Sequence, residues 1–189
     1  MGLPNAGKST LLNAILGEDL VITNPKAQTT RHRIKGILNN ENSQLVFSDT
    51  PGILESSAYK LQETMMGAVK SSLDDADLIL LVLDGQYPKT EQFKEQISSL
   101  SCPVVVVMNK ADLVENQETL NNHVLEAKKA LNTEHVVVAS AKEGFNVSKI
   151  INTLIELSPE HPPFYDRDLV SDESVRFLVS EMIREQILS

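Results

Sequence analysis

The hydrophobic pattern of the chain alternates between short aliphatic runs and segments of helical period. The run from Asp77 to Asp84 is aliphatic between its two carboxylates, as in strands that are buried on both faces of a parallel sheet. Downstream of it the pattern predicts, in order, helix 91–100, strand 104–108, helix 119–131, strand 136–139 and helix 147–157. Strands that alternate with helices of this length predict an α/β domain with a doubly wound, mostly parallel sheet.

The residues ahead of this alternation have other patterns. Residues 34–38 and 44–48 predict two strands of a hairpin around the turn 39–42. Residues 18–33 lose their periodicity, which predicts a long loop, whereas residues 59–73 have helical composition. This part of the domain therefore combines a long loop with a hairpin, and a predicted helix follows the hairpin.

The chain changes character after residue 158. Residues 159–173 begin with three prolines within five positions and predict a linker, and residues 174–189 predict an amphipathic helix. We therefore predict one domain over 1–158, a linker over 159–173 and the first helix of a truncated second domain over 174–189. A terminal helix that packs back on the first domain is the alternative.

A phosphate-binding loop is indicated at residues 2–9, which fit the pattern G-x-x-x-x-G-K-[ST] at every fixed position. Glycines at both ends let backbone N–H groups point inward at a polyphosphate, Lys8 adds a cation for the outer phosphates, and the Ser9 hydroxyl is placed to ligate Mg²⁺. A helix is predicted to follow and to end at Gly17, so its positive N-terminus would face the phosphates. The alternative is an ordinary glycine-rich turn. The predicted nucleotide contacts here are Gly2, Leu3, Pro4, Asn5, Ala6, Gly7, Lys8, Ser9 and Thr10.

A second segment, of the form D-x-x-G, follows the second strand of the predicted hairpin. The Asp49 carboxylate can hold Mg²⁺ through water, and Gly52 lets a backbone N–H approach a γ-phosphate closely. Its position at a strand end, about 40 residues after the phosphate loop, favours this interpretation over chance. The predicted nucleotide contacts here are Asp49, Thr50, Pro51, Gly52 and Ile53.

A third and a fourth segment predict that the base is guanine. The Asp112 carboxylate of Asn109-Lys110-Ala111-Asp112 can accept hydrogen bonds from the ring N–H and exocyclic amine of guanine, a pair that adenine lacks. Lys110 would lie along the base, and Asn109 would tie this loop to the phosphate loop. In Ser140-Ala141-Lys142 the Ala141 N–H can donate to the guanine carbonyl. Taken alone, the third segment could be a solvated helix cap. The four segments follow one another in the order expected of a nucleotide site. Each is predicted to lie at the carboxyl end of a strand, where open α/β sheets bind ligands.

The composition limits other functions. With 17 basic and 26 acidic residues the net charge is −9, which argues against a nucleic-acid platform over this whole surface. The single cysteine, Cys102, excludes an internal disulfide and fits a reducing compartment. The four histidines have no metal-ligand spacing, and no apolar run is long enough to cross a bilayer.

The phosphate loop begins without the strand that precedes such loops in α/β proteins, because only Met1 stands before Gly2. That strand would lie in the middle of the sheet, so its loss would leave two neighbouring strands unpaired. We therefore interpret the sequence as a truncated or internally started version of a longer protein, and we expect the polypeptide to be poorly stable.

Together these segments resemble the G domain of translation-factor-related GTPases, and residues 26–33, 59–63 and 176–185 resemble the Era family in particular. The resemblance implies a Ras-like P-loop NTPase fold, GTP hydrolysis, a role in small (30S) ribosomal subunit assembly and 16S rRNA processing, and cytoplasmic localisation with peripheral association at the inner membrane face as an option. It also implies a C-terminal KH domain that binds the 3′ end of 16S rRNA. Relatives of the Der and MnmE type, which tend to have Thr-Arg-Asp where this chain has Thr-Arg-His at 30–32, remain the alternative, with roles in large-subunit assembly or tRNA modification.

The resemblance also implies the roles of individual residues. Lys8 and Gly52 would act on the γ-phosphate, and Thr30, favoured over Thr29, would complete the Mg²⁺ shell with Ser9 and, through water, Asp49. Ile53 replaces the glutamine that orients water in Ras-type enzymes, so we expect slow turnover; a module that senses nucleotide with negligible hydrolysis is the alternative. Relatives with Asn at position 5 use K⁺ as a charge-neutralising ion, so K⁺ is a second candidate cofactor, unless Asn5 only shapes the loop.

Overall fold

A computed structural model of the chain describes residues 1–21, 34–49 and 75–188. Its strands are β1 (Ile34–Asn39), β2 (Gln44–Asp49), β3 (Ile79–Asp84), β4 (Val104–Asn109) and β5 (Val136–Val138). Its α-helices are α1 (Lys8–Leu16), α2 (Lys94–Ser98), α3 (Gln117–Leu131), α4 (Val147–Leu157) and α5 (Val175–Leu188). Short 3₁₀ turns, Thr90–Phe93 and Ala111–Leu113, lie ahead of α2 and α3.

Strand β4 is the middle strand of a parallel sheet with the order β3–β4–β5. All six of its residues are buried. Val104, Val106 and Met108 pack with residues of α2 and α3, whereas Val105 and Val107 pack with residues of α1 and α4. Each buried aliphatic side chain contributes roughly 1.5–3 kcal/mol, so a strand that is covered on both faces anchors the domain. Helices on both faces of a parallel sheet confirm the predicted doubly wound α/β fold.

Strands β1 and β2 form the predicted hairpin, which among the described residues does not share a hydrogen-bonded sheet with β3–β4–β5. The pairing is antiparallel, with Ile34 opposite Asp49, and the Asn40 N–H donates to the Ser43 carbonyl at 2.9 Å across the turn. Phe47 of β2 packs against residues of α1. Because β2 ends at Asp49, the hairpin delivers the first residue of the D-x-x-G segment to the phosphate loop.

Met1 pairs with the edge of β3. Its α-amine donates to the Leu80 carbonyl at 2.7 Å, and its carbonyl accepts from the Val82 N–H at 2.9 Å, which is the pattern of parallel strands. A cavity of about 1290 Å³, which Met1 helps to line, lies between β2 and β3. The pKa of the Met1 amine is lowered to about 5, mainly by burial and in part by the charge of Lys8, while the charge of Asp49 opposes the shift. The low stability that we expect for this arrangement stays a prediction.

Two helices have boundaries that differ from the predicted ones. The predicted helix 91–100 begins as the 3₁₀ turn Thr90–Phe93 and ends at Ser98, whose hydroxyl donates to the Glu95 carbonyl at 2.8 Å. Such side-chain bonds compete with continuation of the helix. Helix α3 begins two residues earlier than predicted, because Asn116 Oδ1 accepts from the Glu118 N–H at 2.8 Å and caps the helix. The predicted helix 59–73 lies outside the described residues.

The predicted linker packs along the edge of the hairpin. Gln44 Oε1 accepts from the N–H groups of Phe164 and Tyr165 at 2.8 and 3.0 Å, and Lys35 Nζ pairs with Asp172 Oδ2 at 2.8 Å. An antiparallel bridge also joins Gly36 of β1 to Ser171. Hydrogen bonds therefore fasten this segment to β1 and β2 on its way to the last helix.

Helix α5 forms as predicted, and part of its surface is apolar and exposed. Val179, Ile183 and Ile187 are exposed, whereas Phe177 packs against the small hydrophobic cluster of Leu12, Val21 and Ile34. The assignment of this helix to a second domain, like the boundaries at 158 and 173, stays a prediction. No helix within the described ranges is long and apolar enough to cross a bilayer.

Candidate functional site

The phosphate loop bends sharply between Met1 and α1. Asn5 and Gly7 adopt the left-handed conformation, with φ of 62° and 88°. A side chain at position 7 would overlap the Asn109 amide, so both the backbone conformation and the close approach require glycine. Gly7 is the N-cap of α1, and its carbonyl accepts from the Leu11 N–H at 2.9 Å. The helix thus begins inside the motif, and the N–H groups of its first turn point toward the place where an anion would bind.

Lys8 lies within this loop and closes it. Its Nζ donates to the Leu3 carbonyl at 2.9 Å. Burial lowers the pKa of the Lys8 ammonium, and the negative charge of Asp49 partly opposes that shift. A polyphosphate bound next to this ammonium would favour its charged form and so oppose the downward shift of the pKa.

Ser9 and Asp49 meet at the entrance of α1. The Ser9 hydroxyl donates to Asp49 Oδ2 at 3.1 Å, across 40 residues of sequence, and Asp49 is buried. Oxygen ligands of this kind suit Mg²⁺, which binds one or two protein oxygens and completes its shell with water and phosphate. Within the described ranges no group of three or more His, Cys, Asp and Glu residues could hold a metal by itself. The pair fits a Mg²⁺ that is shared with a nucleotide.

Asn109 joins three of the four loops. Its side chain is buried, its Nδ2 donates to the Ala6 carbonyl at 3.0 Å, and its Oδ1 accepts from the Ala141 N–H at 2.9 Å. The contact that we predicted between the base loop and the phosphate loop is therefore present. One amide fixes the distance between the place for the phosphates and the place for the base.

The arrangement differs from the prediction at Ala141. We expected the Ala141 N–H to be available to a guanine carbonyl, but in this structure it donates to Asn109 Oδ1. The reason is the reach of the buried Asn109 side chain, which satisfies a donor that would otherwise be buried without a partner. A contact between this N–H and a base carbonyl would require the bond to Asn109 to be exchanged or shared.

Asp112 and Ser140 are also brought together. The Ser140 hydroxyl donates to Asp112 Oδ1 at 2.5 Å, Asp112 itself is exposed, and Lys142 is exposed on the same loop as Ser140. The Ala111 N–H donates to the Ala139 carbonyl at 3.1 Å, which pins the base loop to the end of β5. The carboxylate is therefore held in one orientation and faces solvent.

Lys110 has a partner that the sequence analysis missed. Its backbone is left-handed, with φ of 60°, and its Nζ donates to Asp84 Oδ2 at 2.7 Å. Asp84 is the residue directly opposite Asn109 in the parallel pairing of β3 and β4. The available signal was an acidic residue that ends a buried aliphatic strand at the carboxyl edge of the sheet.

Several predicted site residues lie outside the described residues. These are Thr30 with the rest of the segment 26–33, and Thr50, Pro51, Gly52 and Ile53. The structure brings together Gly7, Lys8, Ser9 and Asp49 at one end of the site and Asn109, Lys110, Asp112 and Ser140 at the other. The individual roles of all these residues remain predictions.

Comparisons with known proteins agree with the motifs. A family model described as "50S ribosome-binding GTPase" matches residues 1–110. The GTPase Era of Geobacter sp. (strain M21) is 42% identical over 190 residues, which make up 99% of this chain and 63% of that relative. The GTPase Era of Staphylococcus haemolyticus (strain JCSC1435) is 37% identical over 191 residues, again 63% of its length. The chain thus spans less than two thirds of these relatives.

Solved structures give the same result. Era in complex with MgGDPNP and nucleotides 1506–1542 of 16S ribosomal RNA has a TM-score of 0.92 and 36% identity, over 98% of this chain and 64% of that one. A tyrosine-to-alanine variant of Aquifex aeolicus Era bound to GDP·AlF₄⁻ has the same TM-score, identity and coverage. These similarities confirm the Ras-like G-domain fold and the resemblance to Era that the sequence indicated.

Proposed function

Since the chain belongs to the GTPase family described as 50S ribosome-binding GTPases, we propose that it binds guanine nucleotides and hydrolyses GTP to GDP and phosphate, as a switch. The observation that carries this proposal is the Asn109 amide, which bonds to Ala6 of the phosphate loop and to Ala141 of the last base loop. We infer that a single ligand spans both ends of the site, with its phosphates at one end and its base at the other.

The phosphate end would neutralise charge. In the proposed mechanism Lys8 and the amides of the loop at 2–9 hold the β- and γ-phosphates while water attacks the γ-phosphate. Ser9, and Asp49 through water, would hold Mg²⁺, with Thr30 as a further ligand in the GTP state. When bound, the ion would supply positive charge that offsets the negative charge of the phosphates. Gly52 would contribute an N–H to the γ-phosphate.

Slow intrinsic turnover follows from Ile53, because an aliphatic side chain cannot orient the attacking water. Asn5 is exposed at the bend of the phosphate loop and presents a side-chain carbonyl that could serve as one ligand of K⁺. We propose that K⁺ accelerates hydrolysis through Asn5. Equal rates in NaCl and KCl, or an Asn5→Ala variant with unchanged K⁺ dependence, would count against this part of the mechanism.

The base end would select guanine. Asp112 would accept from the ring N–H and exocyclic amine of guanine, Lys110 would lie along the base, and Ala111, Ser140, Ala141 and Lys142 would line the pocket. Adenine would leave the carboxylate without donors, which we expect to cost on the order of 10⁴-fold in affinity. Ser140 supports this role, because its hydroxyl holds one carboxylate oxygen at 2.5 Å and limits rotation of the group.

The cellular role that we propose is assembly of the small ribosomal subunit and processing of 16S rRNA in the cytoplasm. It is supported by the Era relative that was crystallised with 16S rRNA nucleotides. RNA binding would reside in a KH domain that begins with α5, which agrees with the acidic net charge of −9 of this chain. Peripheral association at the inner membrane face, which the resemblance implies as an option, is a further proposal.

Single-turnover hydrolysis tests the proposal. Phosphate release from GTP with Mg²⁺ would be measured with the complete protein, alone and with purified small subunits, large subunits or tRNA. We expect slow release alone and faster release with small subunits only. Binding of GTP without any release would favour a nucleotide-sensing module, and acceleration by large subunits or tRNA would favour a role of the Der or MnmE type.

A further inference from the structure

A turn that belongs to none of the four nucleotide motifs lies against the base loop. It begins at Asp84, the last residue of β3, and the Lys110 Nζ donates to Asp84 Oδ2 at 2.7 Å. The two side chains keep 24% and 29% of their surface exposed. The pair therefore lies at the rim of the site, in direct contact with the lysine that would lie along the base.

Backbone contacts fix this turn to the base loop. The Gly85 N–H donates to the Asn109 carbonyl at 2.7 Å, and a Cβ at Gly85 would lie only 2.8 Å from that oxygen, so the approach requires glycine. Gln86 Nε2 donates to the Leu113 carbonyl at 2.9 Å. Asp84 Oδ1 in turn accepts from the Gln86 N–H at 3.0 Å, which orients the carboxylate. The carboxylate is held before any ligand arrives.

A stabilising surface ion pair is the simpler interpretation of this contact, but it explains less. Partly exposed pairs of this kind add little to the stability of a fold. A lysine that must be immobilised along a ligand loses much rotamer freedom, and an anchor that is already in place reduces that loss on binding. An anchor at Asp84 would therefore change ligand affinity more than it changes folding.

We propose that Asp84 is a positioning residue for guanine recognition, which holds the Lys110 ammonium so that the aliphatic part of this lysine is ready to cover the base. The inference rests on the proposed function, because it assumes a guanine nucleotide in the site. Asp84 acts through Lys110, so its effect on binding must depend on that lysine.

A double-mutant cycle tests the dependence. GDP affinity and GDP dissociation rate would be measured on the complete protein, for the wild type, Asp84→Asn, Lys110→Met and the double variant, each with its urea unfolding midpoint without nucleotide. We expect Asp84→Asn to raise the GDP Kd and dissociation rate about tenfold, equivalent to about 1.4 kcal/mol, with little change in midpoint. In the Lys110→Met background the same change should alter the Kd by less than about twofold.

Two further variants serve as controls. Glu134→Gln removes the same charge from another exposed pair, that of Glu134 with Lys128 at 2.8 Å, and should leave GDP binding unchanged. Asp84→Glu keeps the charge and should recover much of the affinity, even if Asp84→Asn folds poorly. Unchanged GDP dissociation in Asp84→Asn, or equal losses in both backgrounds, would overturn the role of Asp84. Lack of GDP binding by the complete wild-type protein would instead refute the proposed function, and with it the inference that depends on it.

Discussion

Replacement of Asn109 by alanine should damage the fold and the ligand site together. The change leaves the Ala6 carbonyl and the Ala141 N–H without the partners that they have at 3.0 and 2.9 Å. A buried polar group that loses its partner costs about 1–3 kcal/mol. Because water can reach these loops and partly replace the lost hydrogen bonds, we expect the free energy of unfolding to fall by about 3 kcal/mol. This is a large part of the 5–15 kcal/mol that is typical of a domain.

The chain offers a matched control for this variant. Asn13 is also buried, and its amide also makes two backbone bonds, from Nδ2 to the Val21 carbonyl at 2.9 Å and from the Val21 N–H to Oδ1 at 3.0 Å. Asn13→Ala should therefore cost a similar free energy of unfolding. It does not release the two nucleotide loops from each other, so its effect on binding should be small.

Urea unfolding and GDP titration calorimetry separate the two effects. We expect both variants to lose stability, but only Asn109→Ala to raise the GDP Kd, by about tenfold, because binding must then bring the two loops together at a cost of about 1.4 kcal/mol. The folded fraction of each variant corrects its apparent affinity. Equal losses of affinity in the two variants, after that correction, would refute the view that Asn109 fixes the spacing of the site.

Three further predictions concern specificity, pH and the packed linker. Asp112→Asn should exchange guanine for xanthine, since the amide can donate to the C2 carbonyl of xanthine; nucleotide competition checks this, and retained preference for GDP would contradict it. In a polypeptide made to begin at Met1, the free amine has a pKa of about 5 when folded against 8.0 when unfolded. Between these values the unfolded chain holds the extra proton, so stability should rise from pH 5 to pH 8 by up to about 4 kcal/mol; acetylation of the amine should flatten the profile in urea titrations. Gln44→Ala removes the acceptor of the Phe164 and Tyr165 N–H groups, so proteolysis within 159–173 should accelerate while GDP binding persists, and an unchanged cleavage rate would contradict the importance of these bonds.

The parts of the site that follow from local sequence were predictable. A glycine-lysine-serine pattern determines the backbone and the chemistry of a phosphate loop within eight residues, and the aliphatic run that contains β3 predicts burial on both faces. Each motif was expected at the carboxyl edge of the sheet because strand ends bring distant residues to the same edge. For that reason the meeting of Ser9 with Asp49, and of Asn109 with Ala6, could be expected without coordinates.

Other contacts depend on how far individual side chains extend toward residues that are distant in sequence. The local pattern of hydrophobic and polar residues does not predict such contacts. The Lys110 bond to Asp84 follows from the exact register of β3 with β4, and the packing of the linker depends on Lys35 reaching Asp172 across 137 residues. The bond from the Ala141 N–H to Asn109 was missed for a similar reason, because an alternative acceptor lay within reach of the same donor. The early end of α2 at Ser98 depends on a hydroxyl that competes with backbone N–H groups for a carbonyl acceptor. The composition of the segment does not predict which donor binds that carbonyl.

The most direct test of the account is the binding of GTP and ATP to the complete protein, measured by titration calorimetry in the presence of Mg²⁺. The account predicts one site per chain that binds GTP and binds ATP more weakly by a factor on the order of 10⁴, because only guanine offers two donors to Asp112. Equal affinities for the two nucleotides would contradict the assignment of the base loop, and binding of neither would contradict the site as a whole.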